Sequence, residues 1–181
     1  PIFGNRSWYR ENIILVSSKE KKVILFAHGF ERMRKKFHIR EFEKMFCKKF
    51  KCKHSLAVSS GTAAIKIGLK ALGVKPGDEV ITQAFNFIAT VEAIVDVGAK
   101  PIIVNVDDTL NMNVEDLKKA ITPRTKVILP VHMLGVPANI GSIMKFAKAK
   151  KIKVLEDNCE SVGAKFNKKY LGTIWHIGVL S

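Results

Sequence analysis

Ser59-Ser60-Gly61-Thr62-Ala63-Ala64 joins two stretches of opposite character. Before it, Ser55 to Val58 reads as a short strand. After it, Thr62 to Leu72 places Ile65, Leu69 and Leu72 on one helical face, with Gly68 allowing close packing and Gly73 where a helix stop belongs. Strand, turn and helix then recur. Pro76-Gly77-Asp78 turns the chain into a strand from Glu79 to Thr82. Ile88 to Val97 is helical, Pro101 to Val106 a strand, Val114 to Ile121 helical and Lys126 to Val131 a strand. Ile140, Ile143, Met144 and Ala147 mark a further helix before a strand from Lys153 to Glu156. Short apolar strands alternating with helices predict an α/β fold built on a mostly parallel sheet.

Upstream, Arg40 to Phe50 is a predicted helix with Phe42, Met45, Phe46 and Phe50 on one face. Residues 1–37 form a separate N-terminal segment, with a short strand over Val23 to Phe26 and a polar stretch from Glu31 to Lys36. A hairpin is expected around Asn167, with Lys165, Lys168 and Lys169 in solvent.

The chain has 181 residues, 47% of them hydrophobic, which allows one domain or part of a larger one. No run of about 18 apolar residues is present, so no membrane helix is expected. The N-terminus lacks the charged start and apolar middle of a signal peptide, and both ends look cut, as in a fragment. The three cysteines, Cys47, Cys52 and Cys159, suit neither a zinc knuckle nor a Cys-x-x-Cys pair. Reduced thiols, no metal site and a cytoplasmic setting are the expectation. The net charge of +15, crowded at Lys44, Lys48, Lys49, Lys51 and Lys53, suits an anionic partner or simply a solvated lysine face. No aromatic-basic signature accompanies it, so no nucleic acid is expected, and a basic nucleic-acid-binding module stays only a distant alternative.

In parallel sheets, ligands sit outside the carboxyl ends of the strands. The residues there are Ser59 to Thr62, Gln83 to Phe87, Asp107-Asp108, His132 and Asp157 to Glu160. Ser60, Gly61 and Thr62 open a helix, where free amides and the helix dipole hold a phosphate. The same residues also suit an ordinary helix cap that binds nothing. No dinucleotide or Walker motif is present, which argues against NAD and ATP. Phe85 and Phe87 can cover a planar cofactor or fill the core, and core filling is the commoner role. Asp157 ends a strand, where a carboxylate needs a partner such as a protonated pyridine nitrogen, or else serves as a cap or structural ion pair. Glu156 and His132 suit structural roles.

Together these segments resemble the DegT/DnrJ/EryC1/StrS sugar aminotransferase family. The resemblance rests on Ser59 to Ala64, Pro76 to Ile81, Phe87 to Thr90, Gly98 to Pro101, Ile121 to Lys126, Val131 to Pro137, Glu156-Asp157 and Gly172 to Ser181, in the family's order. It covers residues 38–181. It implies the three-layer large domain of the pyridoxal phosphate (PLP)-dependent transferases, with a mixed sheet, incomplete at its C-terminus. It further implies a homodimer that acts on a nucleotide-linked keto sugar with an amino donor such as glutamate, in polysaccharide or lipopolysaccharide synthesis. By position, Ser60, Gly61, Thr62 and Ser181 would hold the cofactor phosphate. Phe87 would stack on the ring and Asp157 would pair with its nitrogen. The lysine that joins the cofactor would lie about five residues beyond Ser181. Asn86 replaces the family's usual Thr. Glu160 stands where Gln or His is usual, and Glu156 to Ser161 resembles the 3-dehydratase branch, in which a histidine replaces that lysine.

Overall fold

Val80-Ile81 and Val127-Ile128-Leu129 are apolar on both faces of a strand, so they must be covered from both sides. The computed structural model describes residues 23–27 and 36–181 and provides that cover. The strands are β1 (Val23–Ala27), β2 (His54–Val58), β3 (Glu79–Gln83), β4 (Lys100–Val104), β5 (Thr125–Leu129), β6 (Lys153–Asp157), a hairpin of β7 (Lys165–Phe166) and β8 (Lys169–Tyr170), and β9 (Ile177–Leu180). The helices are α1 (Lys36–Phe50), α2 (Gly61–Ala71), α3 (Ile88–Asp96), α4 (Val114–Ala120) and α5 (Ile140–Lys150), with a short 3-10 turn over Met133–Gly135.

Seven strands form one sheet in the order β2-β1-β9-β6-β5-β3-β4. Each pairing in it is parallel, and the antiparallel ladder is confined to the β7–β8 hairpin. Asn167 and Lys168 turn that hairpin, both with positive φ. Alternate residues of each strand serve opposite faces. Val80, Val127, Leu155 and Val179 pack with Ile65 and Leu69 of α2 and Ala93 and Ile94 of α3. Ile81, Ile128 and Val154 pack with Leu117 of α4 and Ile143 and Ala147 of α5. Three layers result. Phe46 and Phe50 of α1 close over Leu180. Met45 does not join them and is 70% exposed, because one residue along a helix turns the side chain about 100° away.

The strand predicted at Val23 to Phe26 is β1, and it pairs with β2 on one side and β9 on the other. The polar stretch from Glu31 to Lys36 lies mostly outside the described residues. Close backbone approach governs the strand nearest the site. A Cβ on Gly178 in β9 would overlap the backbone of Gly172, so only glycine fits there. No described helix is long and apolar enough to cross a membrane.

Candidate functional site

The carboxyl ends of β2, β3, β5, β6 and β9 carry the residues that matter. Ser60 caps α2, its Oγ accepting from the Ala63 amide at 3.1 Å. The helical ladder begins with Ala64 donating to the Ser60 carbonyl, so the amides of Gly61 and Thr62 have no acceptor among the described residues. Gly61 packs tightly. A Cβ built there would lie 3.3 Å from the Ser181 Cβ and 3.4 Å from the Cys159 sulfur. The structure thus joins the turn after β2 to Ser181 after β9, two segments far apart in sequence.

Asp157 ends β6 and is 3% exposed. Its Oδ2 accepts from Thr90 Oγ1 at 3.1 Å and its Oδ1 from the Cys159 amide at 3.2 Å. Burial, and then the Asp157 charge, push the Cys159 thiol well above its ordinary range, so it is a neutral wall rather than a nucleophile. Phe87, Thr90, Val131, Asp157, Cys159, Glu160 and Ser181 line one cavity of about 220 Å³. Glu160 is exposed at its rim.

Phe85 and Phe87 do not fill the core. They are 47% and 69% exposed. The cause is Gln83, which takes the buried position at the end of β3. Its Oε1 accepts from the Val131 amide, and its Nε2 donates to the carbonyls of Phe85 and Leu110, each at 3.1 Å. That pins the loop and turns the rings outward.

Glu156 and His132 are structural. Glu156 is fully buried and accepts from the amides of Gly172, Ile174 and Trp175 at 2.9, 3.0 and 2.7 Å. His132 Nδ1 accepts from the Ala138 amide, which leaves its Nε2 to donate to Glu156 at 3.4 Å. Asp107 caps its own turn, its Oδ1 accepting from the Thr109 amide, and it does not reach the cavity.

Thr90, Val131 and Cys159 join the site although no role was read for them in the sequence. Thr90 carried a signal. It lies three residues after Phe87 in the first turn of α3, so the two share a face. For Cys159 the pointer was only its place two residues after Asp157.

The site residues fit a bound PLP. Gly61, at the start of a helix, packs against Ser181, and Ser181, buried Asp157 and exposed Phe87 line the same cavity.

A curated relative, UDP-N-acetyl-3-dehydro-alpha-D-glucosamine 3-aminotransferase of Acidithiobacillus ferrooxidans, is 44% identical over 129 residues, which is 71% of this chain and 35% of the relative. Among solved structures, a mutant of GDP-4-keto-6-deoxymannose-3-dehydratase with bound GDP-perosamine superposes with a TM-score of 0.76 at 38% identity, covering 80% of this chain and 39% of that one. NtdA from Bacillus subtilis with bound cofactor PMP gives 0.71 at 40% identity, covering 75% and 31%. The matched part of the chain therefore spans only about a third of the length of these proteins. The model of the DegT/DnrJ/EryC1/StrS aminotransferase family matches residues 20–181. With nearly the whole chain matched and its site assembled at the strand ends, this protein belongs to that family.

Proposed function

We propose that residues 38–181 are the first part of the large domain of a PLP-dependent aminotransferase acting on a nucleotide-linked keto sugar, with glutamate or a similar amino donor. The observation that carries this reading is buried Asp157 facing the same cavity as Phe87 and Ser181. When bound, PLP supplies the electron sink through which an amino group leaves the donor and reaches the keto carbon. The amides of Gly61 and Thr62 and the hydroxyl of Ser181 bind the phosphate. Asp157 holds a proton at the pyridine nitrogen, and Thr90 and the Cys159 amide fix the carboxylate for that task. Phe87 covers one ring face and keeps water off it. The 44%-identical sugar aminotransferase supports the keto-sugar substrate. Surface polysaccharide or lipopolysaccharide synthesis in the cytoplasm is the setting we infer. Exposed Phe85, Ile88, Leu134 and Val136 support a homodimer that covers this end of the sheet.

A second reading, a nucleotide-sugar 3-dehydratase, is favoured by Glu160 at the cavity rim. A carboxylate there puts negative charge beside a cofactor oxygen, where Gln or His would donate a hydrogen bond. Incubating the full-length protein with a nucleotide-linked 4-keto-6-deoxy sugar and glutamate separates the two. An amino sugar supports the aminotransferase, a 3-deoxy product moves the assignment to the dehydratase, and failure to bind PLP removes both.

A further inference from the structure

Glu156 precedes Asp157 on β6, so its side chain leaves the sheet on the opposite face, away from the cofactor cavity. It is fully buried, and a buried carboxyl group needs donors to meet it. Three of them come from a single turn. The amides of Ile174 and Trp175 donate to its Oε1, and the Gly172 amide donates to its Oε2, which also faces His132 Nε2 at 3.4 Å. These bonds fasten residues 172–175, the connection from the β7–β8 hairpin to β9, onto the middle of the sheet.

Further contacts carry that turn to the site. Glu156 is the register partner of Gly178 on β9, and the Gly172 backbone fills the space that a side chain at 178 would need. Gly172 also lies against Leu180, since a Cβ built on it would stand 3.1 Å from Leu180 Cδ1. Leu180 is the neighbour of Ser181, which lines the cavity beside Gly61. From Glu156 to Ser181 there is thus one hydrogen bond, one packed contact and one peptide bond. Glu156, Gly172 and Leu180 are all buried, and close-packed atoms pass a displacement on rather than absorb it.

We propose that Glu156 is a positioning residue for phosphate binding, setting the place of the Ser181 hydroxyl through Gly172 and Leu180. This role rests on the cofactor reading above, in which Ser181 binds the PLP phosphate. It gives a task to a side chain that does not line the cavity.

The test compares PLP with pyridoxal, which lacks the phosphate, on the full-length protein freed of cofactor. The ratio of the two dissociation constants, read by cofactor fluorescence, isolates what the phosphate contributes. Glu156→Gln keeps the size of the side chain and turns one acceptor oxygen into an NH2 donor that faces backbone N–H groups. The preference for PLP should then fall at least about fivefold, the scale of one hydrogen bond lost. Damage to the fold in general weakens both ligands alike and leaves the ratio standing. Ser181→Ala should lower the ratio by itself, and Glu156→Gln added to it should lower it by less than about twofold more, because both act on one contact. Gly172→Ala keeps Glu156 in place, and its methyl presses on Leu180. It too should lower the ratio, and it decides the matter if circular dichroism shows Glu156→Gln unfolded. An unchanged ratio in folded Glu156→Gln, a fully additive loss in the double variant, or an unchanged ratio in Gly172→Ala overturns the proposal. Wild-type protein that binds PLP no better than pyridoxal overturns the cofactor reading, and this role with it.

Discussion

Asp157 is held in place by two donors, Thr90 Oγ1 and the Cys159 amide. Asp157→Asn keeps the shape and removes the charge. In the full-length protein we expect turnover to fall on the order of a hundredfold or more, the scale of losing one preorganised electrostatic partner. Near-normal turnover would take Asp157 out of the mechanism. Thr90→Val should give a smaller loss, with PLP still bound, because it frees the carboxylate without discharging it. Gly61→Ala tests the phosphate turn. Its methyl would press on Ser181 and Cys159 at 3.3 and 3.4 Å, so PLP affinity read by cofactor fluorescence should drop while helix content stays. At this scale the sequence was legible where chemistry is rare. An acid at a strand end and a Gly-Thr opening a helix stand out. Phe85 and Phe87 did not, since a phenylalanine after a strand looks the same whether it is buried or displayed. Here Gln83 decides, through one hydrogen bond to the Phe85 carbonyl and two to distant backbone at Leu110 and Val131.

Elements are fixed by their ends. Asn113 caps α4 twice, its Oδ1 accepting from the amides of Glu115 and Asp116 at 3.0 and 3.1 Å. Asn113→Ala should cost about 1 kcal/mol in denaturant unfolding. Glu79 starts β3 and accepts from Thr122 Oγ1 and from Arg124 Nε and Nη2, the last two at 3.0 and 2.8 Å. The Thr122 bond first, then Arg124, holds the Glu79 carboxyl below its ordinary range. A carboxyl lowered by folding contributes its stability in full above that range and loses it as pH falls through the folded value. Thr122→Val should therefore move the acid-unfolding midpoint, followed by circular dichroism, to higher pH. An unmoved midpoint would make the contact incidental. Apart from α1, which begins at Lys36 and not at Arg40, helix and strand limits were readable to within a residue or two, because apolar period and turn residues mark them locally. The tie between Glu79 and residues 122–124 was not, since it spans more than forty positions.

The α/β class was legible at the scale of the molecule because alternation of strand and helix is written along the chain. Neighbour order was not. Periodicity says which face of a strand is apolar and nothing about what lies beside it, so the place of β1 between β2 and β9 emerges only from the fold. That arrangement bears on biosynthesis. Of the nine described strands β9 is the last to leave the ribosome, yet it bridges β1 and β6 in mid-sheet. Until residues 177–180 emerge, β2–β1 and β6–β5–β3–β4 are two separate ribbons, each with a bare edge open to wrong partners. A nascent chain stalled before Ile177 should therefore stay sensitive to protease and call on chaperones, and one stalled after β9 has cleared the exit tunnel should not.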